Sequence, residues 1–337
     1  MTNSLRDRLD DFRGDFRLME GEISRFLVGQ SVVIRDVLVA MISGGHVLLE
    51  GVPGLGKTLL VRTLSNIVGG EFSRIQFTPD LMPADLTGTN IMSRSVDGSS
   101  HFEFQRGAVF CNLLLADEIN RATPKTQAAL LEAMQEQSVT AGGVTYKLPD
   151  LFFVLATQNP IEMEGTYLLP EAQLDRFFSK IIFPFPSLDE LVQIIDRTTT
   201  TESLKVEATI PISRIIEMGQ LAREVTVADE VKRFAAELVM RTHPNLADSE
   251  LKSKHSASEK LVDKYVRYGA SPRGAQALML GAKVLAILDG RVNVAREDLI
   301  AMMPTVLRHR IILTFEGEAE NITTDEIIET IILYRSR

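Results

Sequence analysis

The sequence contains no tryptophan and a single cysteine, and aromatic residues make up only 6% of its 337 positions. The lone thiol, Cys111, excludes an internal disulfide and fits a reducing compartment. Five scattered histidines and that one cysteine offer no zinc-ligand spacing. So few aromatics disfavour a platform for stacking bases. No apolar run approaches the roughly 20 residues of a membrane-spanning helix; the longest candidate, 31–52, is interrupted by Arg35, His46 and Glu50. Residues 1–17 are dense in Arg and Asp and hold no apolar export core, so a cytoplasmic location is expected. Positive charge is in deficit too. The 36 Lys+Arg stand against 45 Asp+Glu, a net charge of −9, which argues against a general binder of phosphate backbones without excluding a local basic channel.

What is present is an ordinary globular balance, 45% hydrophobic and 24% charged, long enough for two domains at roughly 150 residues each. Residues 1–20 have the spacing of an amphipathic helix. Short apolar runs at 46–50, 72–77, 112–116 and 151–157 then alternate with helical patterns at 58–67 and 124–137, which predicts a parallel sheet covered on both faces. Two hairpin signals interrupt this rhythm: 89–93 with 101–105 around Asp97-Gly98, and 138–148 around Gly142-Gly143. Pro184 and Pro186 end regular structure and mark a boundary. Helical periodicity dominates beyond it, at 189–200, 211–224, 228–241, 258–268, 272–288, 296–303 and 323–334, the last opening on a Thr323–Glu326 capping box. The polar stretch 248–260 reads as a solvated loop, overlapping the start of the 258–268 pattern.

The strongest chemical signal is the run Gly51-Val52-Pro53-Gly54-Leu55-Gly56-Lys57-Thr58, set between a strand and a helix. Its glycines let backbone N–H groups cradle phosphates, and the helix N-terminus adds its positive dipole end. Lys57 can reach β- and γ-phosphates and Thr58 can ligate Mg²⁺. The strand Leu113-Leu114-Leu115-Ala116 ends in Asp117-Glu118, at the sheet edge that carries the P-loop. Asp117 suits the Mg²⁺ shell, and Glu118 suits a general base that polarises water, a pair that points to ATP hydrolysis. Asn159, at the end of the next strand, can orient that water without adding charge. Arg176 offers a donor fork for phosphate, or an ion pair with Glu171 or Asp175; spacing alone does not choose. Arg273, in Ser271-Pro272-Arg273-Gly274, projects from a helix start either to solvent or to a ligand.

In this order the motifs resemble the AAA+ ATPase family, and more closely its MoxR-type members. The resemblance runs over about residues 20–315 and is carried by 77–88, 113–140, 152–177, 269–291 and the run Leu307-Arg308-His309-Arg310-Ile311. It implies an α/β P-loop core with a five-stranded parallel sheet, followed by an all-α lid. The implied organisation is an N-terminal helix (1–19), a core (20–186) and a lid with a C-terminal helix (187–337). The resemblance casts Lys57 and Thr58 as Walker A, Asp117 and Glu118 as Walker B, Asn159 as sensor 1 and Arg273 as sensor 2. Arg176 matches an arginine finger reaching a neighbouring subunit's ATP, which implies a ring, usually of six. Val28-Gly29-Gln30 matches the box near the adenine. The two hairpins (about 88–106 and 138–148) correspond to the helix-2 insert and the pre-sensor-1 hairpin. Gly107-Ala108 stands where Gly-Pro is usual, which predicts a more flexible exit from the insert. A protein with a von Willebrand factor A domain is the implied partner and remodelling of a client protein the implied work. A helicase-like motor would use the same ATPase parts, but the net charge and scarce aromatics disfavour it. The intact Asp117–Glu118 pair, Asn159 and Arg176 disfavour a nucleotide switch that does not hydrolyse.

Overall fold

The runs 46–50, 112–116 and 151–157 have almost nothing polar to turn toward water, and they form the centre of a sheet buried on both faces. The computed structural model describes residues 5–94, 100–159, 166–199, 205–207, 209–244 and 257–335. The turn expected at Asp97-Gly98, Pro160, and 248–256 of the polar stretch lie outside them. The chain forms two compact units: Asp15–Arg176 with Ile181–Glu217, and Met1–Gly14 with Phe177–Lys180 and Met218–Arg337.

The strands, in chain order, are β1 (Val47–Glu50), β2 (Phe72–Gln76), β3 (Thr89–Arg94), β4 (Ser100–Gln105), β5 (Leu113–Asp117), β6 (Ser138–Ala141), β7 (Val144–Lys147), β8 (Phe153–Gln158) and β9 (Ser179–Ile182). The main sheet has the order β2-β5-β8-β1-β9, with parallel ladders joining β2 to β5, β5 to β8 and β8 to β1. Leu48, Leu114 and Val154 are fully buried at its centre. β9 is absent from the strand pattern read from sequence, because its four residues are too few to show a period. The P-loop helix spans Lys57–Val68, and the helix Pro124–Glu136 starts with proline at its first turn. The N-terminal helix runs Leu5–Phe26, longer than the 1–20 pattern, with Met19 and Ile23 buried near its end. Among the described residues no helix is long and apolar enough to cross a membrane.

Both expected hairpins form, β3 with β4 and β6 with β7, each antiparallel. Phe104 of the first stacks on Tyr146 of the second at 4.0 Å, and Phe110 meets Phe104 edge-on at 5.7 Å. The exit of the insert is pinned rather than loose. Ala108 donates its N–H to Asp85 O at 3.1 Å, a bond that proline could not make, and Val109 follows with Leu86 O at 3.1 Å. Cys111 is buried, and burial pushes its thiol up to about 12, so it stays protonated and packs as a small apolar group.

The second unit is helical, as expected, with one addition. The helical pattern over 258–268 breaks after Tyr265, and β10 (Val266–Tyr268) pairs antiparallel with β11 (Ile312–Leu313). The helix Arg296–Leu307 continues past Pro304, beyond its expected end at 303, because Val306 and Leu307 are fully buried and hold the last turn down.

His46 ties two elements of the first unit. Its Nδ1 accepts the Val154 N–H at 3.1 Å, so Nε2 carries the proton and donates to Met134 O at 3.3 Å. Burial pushes this imidazole down from 6.5 to about 4. The unfolded chain therefore takes up this proton first as pH falls. The stabilisation is complete above about pH 6.5 and is lost toward pH 4, by about 3 kcal/mol from this residue. Urea denaturation at pH 7 and pH 4.5 should show that loss in the native sequence and a shallower one in His46→Gln. Some slope remains because buried His309 is shifted in the same direction. Equal slopes in the two proteins would exclude His46 as the source.

Candidate active site

Three strands end together. β1 runs into Gly51, β5 ends on Asp117, and β8 ends on Gln158 just before Asn159. Between Gly51 and Lys57 the backbone turns through left-handed conformations at Gly54 (φ +86) and Gly56 (φ +94). The left-handed backbone angle at Gly56 favours glycine there, while the one atom a Cβ would crowd, Leu27 Cδ1 at 2.8 Å, is the movable end of a side chain. Lys57 opens the helix and folds its side chain back, Nζ donating to Gly51 O at 2.6 Å. Burial pulls its ammonium below the ordinary lysine value, opposed by the charges of Asp117 and Glu118.

The two acids are held by one hydroxyl. Thr157 Oγ1 donates to Asp117 Oδ1 at 2.6 Å and accepts the Glu118 N–H at 2.8 Å. Glu118 itself sits in the left-handed region (φ 54, ψ 51), a conformation that costs a non-glycine residue about 1–3 kcal/mol. Its Oε2 accepts from Gln76 Nε2 at 2.6 Å and from Arg121 at 3.0 Å. Asp117 Oδ2 accepts from Arg74 at 2.8 Å.

These residues surround a cavity of about 430 Å³ lined by Lys57, Thr58, Asp117, Glu118, Thr157 and Asn159, together with Arg74 and Gln76. It adjoins a second cavity of about 300 Å³, sharing Pro53, Gly54, Gly56 and Leu59. The second wall is apolar, with Phe26, Val28, Phe185, Leu191 and Ile194, and Leu55 and Gln30 also line it. One groove thus has a polar end and an apolar end, as a nucleotide does. Gly29, between Val28 and Gln30 in sequence, has φ +72.

Of the residues picked from sequence, Pro53, Gly54, Gly56, Lys57, Thr58, Asp117, Glu118 and Asn159 line the polar end, Val28 and Leu55 line the apolar end, and Gly29 and Gly51 line neither cavity. Arg176, half-buried in the same unit, lines neither cavity, and among the described residues no ion pair joins it to Glu171 or Asp175. Arg273 belongs to the other unit, exposed at the start of the helix Pro272–Leu288, where its N–H bonds the Ser271 hydroxyl. Sequence reasoning missed Thr157, Arg74 and Gln76. The available signal was their placement: polar residues at the carboxyl ends of the strands flanking Asp117. It also missed Leu191 and Ile194, one side of the helix Leu188–Thr198.

The donor set suits Mg²⁺. A hydroxyl (Thr58) and a carboxylate (Asp117) on one polar wall are hard oxygen donors, and Mg²⁺ is usually held by one or two carboxylates plus phosphates rather than by an all-protein cage. No cluster of three or more His, Cys, Asp or Glu suited to a metal occurs among the described residues. The guanidinium of Arg74 already neutralises Asp117 as a cation would.

Comparison with known proteins agrees with this geometry. The profile of the ATPase family associated with various cellular activities (AAA) matches residues 46–179, and that of the AAA lid domain matches 258–331. Chaperone MoxR1 of Mycobacterium tuberculosis is 42% identical over 313 residues, covering 92% of this chain and 79% of that protein. Protein MoxR of Methylorubrum extorquens is 34% identical over 316 residues, covering 90% of each. A crystal structure of a candidate ATPase from Cytophaga hutchinsonii superposes with a TM-score of 0.87 at 40% identity, covering 97% of this chain and 96% of that one. Nucleotide-binding motifs, sheet order and relatives over nine-tenths of the length converge on one assignment: the chain belongs to the MoxR-type family of AAA+ ATPases.

Proposed function

We propose that this ATPase hydrolyses ATP with Mg²⁺ in a ring of subunits, usually six in this family, and spends the cycle remodelling a client protein in the cytoplasm. The observation that carries the hydrolytic reading is the Thr157 hydroxyl, which couples Asp117 to the Glu118 backbone on the wall that also holds Lys57 and Thr58. Mg²⁺, held by Thr58 and Asp117, would neutralise phosphate charge. Lys57 exchanges its Gly51 carbonyl for phosphate oxygens, and the P-loop N–H groups cradle them. Glu118, released from Gln76 and Arg121, takes the proton of the attacking water, and Asn159 orients that water. The apolar end of the groove, around Val28 and Gly29, takes the adenine. Arg176 serves the neighbouring subunit's phosphates, consistent with its absence from its own cavity walls, and Arg273 acts as the lid's phosphate contact.

The client reading draws on two points. The Mycobacterium tuberculosis relative is named a chaperone. The insert hairpin turns apolar side chains outward, Met92 at 68% and Phe102 at 73% exposure as a cross-strand pair, with Val144 of the second hairpin also exposed. Such a surface suits a polypeptide rather than a phosphate backbone. A partner with a von Willebrand factor A domain is proposed from the family resemblance.

Glu118→Gln should keep ATP affinity within a few-fold and lose phosphate release by at least about 10²-fold, as expected for removal of a general base; unchanged release would exclude Glu118 from that role. Thr157→Val should cost about 1–3 kcal/mol in urea denaturation, because the Glu118 N–H loses its acceptor, and should lower kcat more than it raises KM. A variant with full kcat would show that the hydroxyl does not organise the acids.

A further inference from the structure

The run 307–311 belongs to the family resemblance yet takes no part in the chemistry above. Its three middle side chains all turn to one short piece of backbone in the same unit. Arg308 donates to Lys180 O at 3.1 Å and His309 Nε2 to Phe177 O at 3.1 Å. Arg310 donates to Phe177 O at 2.6 Å and to Phe178 O at 3.1 Å, and also to Val306 O in the preceding helix. Phe177 is the residue after Arg176. The aliphatic part of the Arg310 side chain faces Gly274, the residue after Arg273. A Cβ on Gly274 would lie 3.3 Å from Arg310 Cδ, 3.3 Å from Leu307 Cδ2 and 3.2 Å from Ala270 Cβ. Arg310 and His309 are each only 6% exposed.

A buried guanidinium is costly where volume alone is needed, since a leucine would fill space without desolvating a charge. What arginine adds is a rigid planar fork of five donors, able to serve several carbonyls at once. Here the fork fixes two successive carbonyls directly after one arginine, and its stem packs against the backbone directly after the other.

We infer that Arg310, supported by His309, is a positioning residue that holds the backbone following Arg176 and the backbone following Arg273 in one register. The inference rests on the roles proposed above for those two arginines. Arg176 is one peptide bond from Phe177, and Arg273 one peptide bond from Gly274. Misplacing a phosphate-contacting group by about 1 Å can cost on the order of 10² in rate, so the clamp acts on turnover without touching nucleotide.

Two variants test it. Arg310→Lys keeps the charge and replaces the fork by a single compact donor group. Gly274→Ala keeps Arg310 and crowds its stem, and it serves if Arg310→Lys does not fold. For each, hydrolysis should fall about 10- to 100-fold, with Kd for ADP within about threefold of the native protein. Amide hydrogen exchange, read without nucleotide, should accelerate over 177–182 and stay unchanged in β5 and β8. Mixing either variant with Glu118→Gln subunits, which carry intact arginines, should restore part of the turnover, as should mixing Arg176→Ala with Glu118→Gln. Native exchange rates over 177–182 together with native turnover would overturn the inference. Failure of the Arg176→Ala mixture alone would instead overturn the assignment of Arg176 to the neighbouring site, with exchange still deciding the clamp.

Discussion

Everything at the site depends on the parallel register of β1, β5 and β8. These strands are buried on both faces, so polar atoms can stand only where the strands end. Leu115 lies beside Leu155, Ala116 beside Ala156, and Leu49 beside Thr157. Slipping one strand by a single residue would turn every side chain to the opposite face and carry Asp117 or Thr157 away from its partner. The apolar packing that fixes the register therefore also delivers the P-loop, Asp117 and Asn159 to one edge. Stability and site geometry are set by the same constraint.

That constraint also explains what could be read from the sequence. Uninterrupted runs such as 113–116 announce buried strands, and a glycine run or an acidic pair at their carboxyl ends announces chemistry. β9 could not be read this way, because four residues beside a proline-rich stretch carry no period. Pro304 is a strong local stop signal that burial of Val306 and Leu307 overrides. The Gly107-Ala108 departure reads as a loss of rigidity, yet the regained N–H finds Asp85 O. Thr157 was invisible for a different reason: a threonine near the end of a strand looks like propensity, and only the neighbouring strand reveals its two hydrogen bonds. Arg74 and Gln76 lie within the run 72–77, which announces a strand and nothing more. The helical unit was legible in its periodicity, whereas the contacts that join 307–311 to 177–180 span more than a hundred residues of sequence and leave no local trace.

The polar contacts of the acids have unequal weights. Arg74 is exposed on 48% of its side chain, and an ion pair of that kind contributes about 0–1 kcal/mol. So weak a contact holds Asp117 only loosely. The Thr157 bonds are different, because Thr157 is 1% exposed and its hydroxyl joins the Glu118 N–H and Asp117 Oδ1 away from solvent. The site therefore combines a fixed part, the Thr157 bridge, with an exchangeable part, the Arg74, Gln76 and Arg121 contacts.

The same distinction resolves the tension between an acidic chain and a polyanionic substrate. A net charge of −9 spread over the surface acts through solvent, where the Debye length is about 8 Å at physiological salt, so most of it is screened at the groove. Affinity is decided by contact donors instead. The P-loop N–H groups, the start of the helix Lys57–Val68 and the Lys57 ammonium converge on one cavity, and burial of that ammonium makes each of its contacts stronger than it would be in water. The deficit of Lys and Arg is thus no obstacle to binding a nucleotide held at a single point. It remains an obstacle to following a nucleic acid backbone, which requires positive charge distributed along an extended track. Local concentration of donors with a global excess of acid therefore suits a protein that binds nucleotide at one point rather than one that tracks a polyanion.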